Sequence, residues 1–181
     1  MKNINQIKLG IDIGKVIISG VNDSQDTSFL RGDIDSALQT LPIPESFESI
    51  KLLVHYFNGK VVLVSKASLP IQHRTVLWLN HHNFFEKTGI NVNNIYFCLQ
   101  RQDKVKICSD LTITHFIDDR MAVLEHLKGV VDVRMLFGPQ KPRFKCPKGV
   151  IHVDNWKEAM RYFNLKNWNE KHINNSLTKK P

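Results

Sequence analysis

Residues 8–20, KLGIDIGKVIISG, decide how this chain reads. Leu9, Ile11 and Ile13 make an apolar run that reads as a buried strand over about residues 7–13. The run passes without a linker into Asp12 and Gly14. A carboxylate at the carboxyl end of a central strand, beside a glycine turn, stands where open α/β sheets bind ligands. Taken alone, the stretch also reads as a strand closing in an Asp-containing turn. The order of features downstream separates the two.

After a turn-rich loop over 20–26 and an irregular or short helical connection over 33–44, a helix is expected from Pro44 to residue 58. Pro44 and Glu45 suit its first turn, Phe47, Ile50, Val54 and Phe57 share one face, and Gly59 suits its stop. VVLV at 61–64 is a short, wholly apolar strand of the kind buried in parallel sheets. Ser65, Lys66, Ala67 and Ser68 then lead into a helical region over 71–87 that Gly89 ends. Residues 94–99 form a third strand and 114–117 a fourth, separated by a polar, basic stretch over 101–111. The fourth ends in Asp118-Asp119, and a helix over 120–128 comes after it, with Val123, Leu124 and Leu127 inward and Gly129 as its stop. Strands over 131–137 and 150–153 come next. Asp154 or Asn155 then caps a last helix with Trp156, Met160 and Phe163 on one face. Strands alternating with helices imply right-handed βαβ units and a mostly parallel, doubly wound α/β sheet covered on both faces. One domain is expected over 1–165, with a basic, flexible tail over 166–181.

The totals agree. A hydrophobic content of 42% supplies a core and excludes a wholly disordered chain. No apolar run approaches the roughly 18 residues of a membrane helix, and no signal-peptide pattern precedes the first strand, so a soluble, cytoplasmic protein without a membrane partner is expected. Three cysteines without CxxC spacing argue against a disulfide framework and a zinc knuckle. His81 and His82 are adjacent and point apart on a helix, which makes them surface or capping residues rather than ligands. The net charge of +8 is uneven: residues 141–181 hold 10 Lys and Arg against 3 Asp and Glu. That segment fits either an anionic partner or a solubilising role.

Four expected strands carry polar residues at or beyond their carboxyl ends: Asp12, Ser65, Lys104 and Asp118-Asp119. Carboxyl ends of parallel strands converge on one edge, so these distant residues can share a site. Carboxylates and main-chain carbonyls suit Mg²⁺, a hydroxyl and a lysine ammonium suit phosphate oxygens, and a free carboxylate can attack phosphorus. Asp118-Asp119 also suits the amino end of the next helix.

In this order the motifs resemble those of the haloacid dehalogenase-like superfamily. IDIGKVI resembles its nucleophile motif, LVSKAS its Ser/Thr motif, QDKVKICSDL its Lys motif and FIDDRMAVL its paired-acid motif. The run from Asp103 to Arg120 is similar in style to deoxyribonucleotidase members. The resemblance implies that Asp12 is nucleophile and Mg²⁺ ligand and that the main-chain carbonyl of Gly14 faces the metal. It implies that Ser65, Lys66 and Lys104 hold the phosphoryl group, with Lys104 counted as catalytic and Lys106 open as its alternative. Asp119 is implied as a metal ligand, with Asp118 beside it directly or through water.

One position departs. Members usually carry a second Asp two residues after the nucleophile, as general acid/base, and this chain has Gly14. Asp12 and Ser65 are separated by 52 residues, and Ser65 and Lys104 by 38, which leaves no room for a large cap. By the resemblance, members with minimal caps have open sites, take larger substrates or close the site by forming homo-oligomers. The expected function is a Mg²⁺-dependent phosphohydrolase of phosphate monoesters, its partner a phosphorylated small molecule or an anionic macromolecule. A binding module that lost catalysis with the second Asp is the alternative. A nucleic-acid-binding role for the basic end is weakened by the lack of interleaved aromatic and basic residues.

Overall fold

Among residues 7–20 and 33–165, which the computed structural model describes, there are six strands and seven helices, with one or two helices between successive strands except between the last two. The strands are β1 (Leu9–Ile11), β2 (Val61–Lys66), β3 (Ile95–Cys98), β4 (His115–Asp118), β5 (Val133–Phe137) and β6 (Val150–Val153). The helices are α1 (Ile34–Leu38), α2 (Ser46–Tyr56), α3 (Leu69–His81), α4 (Phe84–Thr88), α5 (Lys104–Asp110), α6 (Met121–His126) and α7 (Trp156–Tyr162). Every strand pair is parallel, in the order β3-β2-β1-β4-β5-β6. This is a doubly wound α/β sheet whose order reverses between β1 and β4, the place where such sheets open a crevice.

The short strands are apolar on both faces because helices cover both. Leu9 and Ile11 of β1, Val61 and Leu63 of β2 and Met135 and Phe137 of β5 join one core with α2, α3 and α7. Val62, Val64 and Phe116 face the other core, with Cys108 of α5 and Val123 and Leu124 of α6. Between them β1 offers only Gly10 to that second face. A Cβ there would stand 2.5 Å from Cδ2 of Phe116, its register partner on β4, so a glycine is what lets the two central strands pack.

In α2 the buried face is Phe47, Ile50 and Leu53, continued by Phe57, whereas Val54, expected inward, is half-buried. Burial of each such side chain contributes ~1.5–3 kcal/mol. The helical region expected over 71–87 is two helices. Asn83, with φ of 53°, turns the chain between α3 and α4, and Gly89, with φ of 80°, ends the second. His82 closes α3, with Nε2 donating to the carbonyl of Leu38 and its ring 4.2 Å from that of Trp78. Residues 104–110 of the polar stretch form a helix that the sequence does not announce, and Ser65 and Lys66 belong to β2 rather than to a lead-in. The strand expected over 7–13 narrows to Leu9–Ile11. The loop expected over 20–26 lies beyond Gly20 outside the described residues, as does the tail over 166–181. No described helix is long and apolar enough to cross a membrane.

The chain leaving β1 is pinned rather than loose. Ile17 and Ile18 amides both donate to the carbonyl of Ile13, and that of Ile43 to Ile17. Val16, Ile17 and Ile18 are buried, and the indole N–H of Trp156 in α7 donates to the carbonyl of Val16 at 2.9 Å. Asp12 is thereby held in front of a rigid turn.

Candidate active site

Asp12 is the first residue beyond β1, and its amide continues the ladder by donating to Ile117 of β4 at 2.9 Å. Asp118 is the last residue of β4 and Asp119 the next. Both strand ends therefore lie at the point where the sheet order reverses. Carboxylate oxygens of Asp12, Asp118 and Asp119 lie within 4.8 Å of one another.

Lys104 enters the same space from α5. A 3-10 turn, Arg101–Asp103, precedes that helix, and the Asp103 carboxylate accepts from the amide of Gln100. The ammonium of Lys104 donates to Oδ1 of Asp12 and to Oδ2 of Asp118, each at 2.8 Å. It lies 5.5 Å from the ring centroid of Phe116, and its side chain is 2% exposed. Burial works against the charged ammonium, but the carboxylates of Asp118 and Asp12 outweigh it and hold its pKa above the ordinary lysine value. Lys106, the alternative left open by the sequence, is exposed on the other side of α5 and pairs with Asp110.

Asp118 is fully buried, and its Oδ1 accepts from the amide of Arg120 at 2.9 Å. Burial pushes its pKa up to about 6, against the pull of Lys104. Burial, with the charges of Asp12 and Asp118, pushes that of Asp119 up to about 7. Three carboxylates converging this closely are an arrangement that a divalent ion suits, beside the counter-charge that Lys104 already gives Asp12 and Asp118. The donor set is all oxygen and borders a cavity of about 30 Å³, room for an ion or a water, so these residues fit Mg²⁺. The expected helix-capping role of the acidic pair is corrected: Arg120 stands at the cap position of α6, and the Asp118 carboxylate serves the Arg120 amide instead.

Gly14, Ser65 and Lys66 line the same cavity. Ser65 is buried and Lys66 half-buried at the end of β2. The site thus assembles all seven residues singled out from the sequence: Asp12, Gly14, Ser65, Lys66, Lys104, Asp118 and Asp119. Arg101, Arg120 and Lys15 also line it, and the motifs assign none of them a metal- or phosphate-binding role. Each flanks a motif residue, Arg101 by one helical turn and the others by one position, and that adjacency is the available signal. Burial holds the thiols of Cys98 and Cys108 above their ordinary pKa, that of Cys108 at about 12, so neither supplies a thiolate nucleophile near neutral pH.

No family model and no curated protein matches the sequence. Among solved structures the chain is similar to a haloacid dehalogenase-like family hydrolase from Xanthomonas campestris. The TM-score is 0.58, over 87% of this chain and 96% of that one, at 11% identity. At that identity the likeness is one of fold.

Proposed function

We propose that the chain is a Mg²⁺-dependent phosphohydrolase that cleaves phosphate monoesters through an aspartyl-phosphate on Asp12. The observation that carries this reading is the convergence of Asp12, Lys104, Asp118 and Asp119, from separate places in the sequence, on one small cavity at the switch point of the sheet. The likeness of fold to a haloacid dehalogenase-like hydrolase supports it.

In this reading an oxygen of Asp12 attacks phosphorus, and the bond from phosphorus to the leaving oxygen breaks as the new one forms. Lys104 orients the Asp12 carboxylate in the resting site. With substrate present, Lys104, Lys66 and the Ser65 hydroxyl face the phosphoryl oxygens and offset their charge. Water then attacks the phosphorus of the acyl phosphate, releasing inorganic phosphate and restoring the carboxylate. Asp12, Asp118, Asp119 and the carbonyl of Gly14 are the groups that would hold Mg²⁺, which when bound supplies positive charge against the phosphoryl oxygens.

Gly14 sets the leaving-group preference. No acid stands two residues after the nucleophile, so a poor leaving group departs as an unprotonated alkoxide. A general acid is typically worth ~10²–10⁴-fold in rate. Nitrophenolate needs little protonation and alkoxides need much. The test is release of nitrophenolate from p-nitrophenyl phosphate with Mg²⁺ and with EDTA, beside phosphate release from glycerol 3-phosphate. Expected are Mg²⁺-dependent turnover of the aryl ester, alkyl turnover lower by about two orders of magnitude or more, and loss of both in Asp12→Asn. Equal rates on the two esters would assign the proton to another group, with Lys15 or a bound water first in line. Absence of turnover of either ester, from folded protein that binds Mg²⁺, would make the chain a non-catalytic phosphate-binding module.

A further inference from the structure

The carboxylate cavity does not end at Asp119. Lys15, Arg101, Asp119 and Arg120 line both it and a second, larger groove of about 700 Å³. That groove runs on past Met121 to Phe137 and the turn after β5, where Lys141 lines it. Four cationic side chains thus border it against a single carboxylate; Lys141 belongs to the groove alone, and the other three cations and the carboxylate are shared with the cavity. Its far wall is fixed: the carbonyl of Gly138 accepts from the side chains of Gln140 and His152, at 3.1 and 3.0 Å, and the Gly138 amide donates to Val153.

A phosphoryl group seated at Asp12 must project its leaving group out of the small cavity, and the shared rim directs that path into the groove. A leaving group with no charge would gain nothing from four cations there, whereas a second phosphate would meet charge-assisted donors. The volume falls in the range of roughly 300–1,000 Å³ typical of small-molecule pockets, which favours a metabolite-sized body over a polymer. We infer that this groove is a leaving-group subsite for a second phosphate, with Lys15, Arg101, Arg120 and Lys141 as its cationic border, so that the substrate is a small molecule bearing two phosphates. The inference rests on the phosphohydrolase reading for its orientation.

The test compares inhibition constants against p-nitrophenyl phosphate for two pairs: adenosine 5′-monophosphate with adenosine 3′,5′-bisphosphate, and fructose 6-phosphate with fructose 1,6-bisphosphate. The pairs separate a nucleoside body from a sugar body. In at least one pair the bisphosphate should bind at least about tenfold more tightly, the factor one charge-assisted contact supplies. In Lys141→Glu that ratio should fall close to one. Lys106→Glu removes an exposed lysine outside the groove and should leave the ratio as it was. Ratios near one in both pairs, or equal losses in the two variants, would overturn the subsite. Should the protein turn over no phosphate ester, calorimetric dissociation constants for the same compounds replace the inhibition constants. A ratio that falls in Lys141→Glu alone would then support the subsite without the hydrolase, and any other pattern would overturn it.

Discussion

Lys104 carries the electrostatics of the site. Its ammonium is enclosed, and two carboxylates, Asp12 and Asp118, each hold it at 2.8 Å. A buried pair of this kind adds little net stability against an apolar replacement of the whole set, but removing one member strands the others without solvent or counter-charge. Lys104→Met keeps the length and apolar stem of the side chain and leaves Asp12 facing Asp118. It should cost about 3–5 kcal/mol in urea unfolding near neutral pH, and adding Asp118→Asn should return part of that loss. A cost under about 1 kcal/mol would mean that solvent already relieves the carboxylates. The sequence could not choose between Lys104 and Lys106. Residues two positions apart on a helix point to nearly opposite sides, and the choice depends on the phase of α5, which a stretch as polar as residues 101–111 does not reveal. The acids were easier to find because each comes after an apolar strand, whose end is visible in the sequence.

The strands themselves were legible for a physical reason. A parallel strand covered on both faces must be apolar throughout, and VVLV or the run before Asp12 fits that place and few others. The break between α3 and α4 was not legible, because apolar spacing continues through it. What makes the break is tertiary, since His82 reaches across to Leu38 and Asn83 takes the left-handed conformation. Gly10 is a second case where local reading falls short. Inside a strand it looks like a weakness, yet its missing side chain admits the Phe116 ring, over which Lys104 lies. Gly10→Ala would place a Cβ 2.5 Å from that ring and 3.1 Å from Ile113. Both neighbours are buried, so the strands must part or the ring must turn. The expected cost is about 1–3 kcal/mol in urea unfolding, with a loss of aryl phosphatase activity larger than the loss of folded protein explains. An alanine tolerated within about 0.5 kcal/mol, the usual limit for a harmless substitution, would show that β1 and β4 have slack.

At the scale of the molecule, the uneven charge of the sequence resolves into separate parts. Of the basic residues after 140, Lys141, Arg143, Lys145 and Lys148 lie in the connection from β5 to β6. Its end is tied down where the buried Arg134 of β5 donates to the carbonyl of Gly149 at 3.3 Å. A further group, Lys166, Lys171, Lys179 and Lys180, lies outside the described residues. Lys157 and Arg161 lie on α7. The basic segment is therefore several parts rather than one, and among its described basic residues only Lys141, in the β5–β6 connection, lines the groove. Charges there should draw anionic substrates toward the site by a long-range field, which salt removes as the screening length shrinks from about 30 Å at 0.01 M to about 3 Å at 1 M. The value of kcat/KM for p-nitrophenyl phosphate should then fall as salt rises. Replacing Lys141, Arg143, Lys145 and Lys148 together with Gln should flatten that dependence, while removing residues 167–181 should change it less. If the truncation flattens it more, the field that guides substrate belongs to the end of the chain, and the β5–β6 connection is charged for solubility alone.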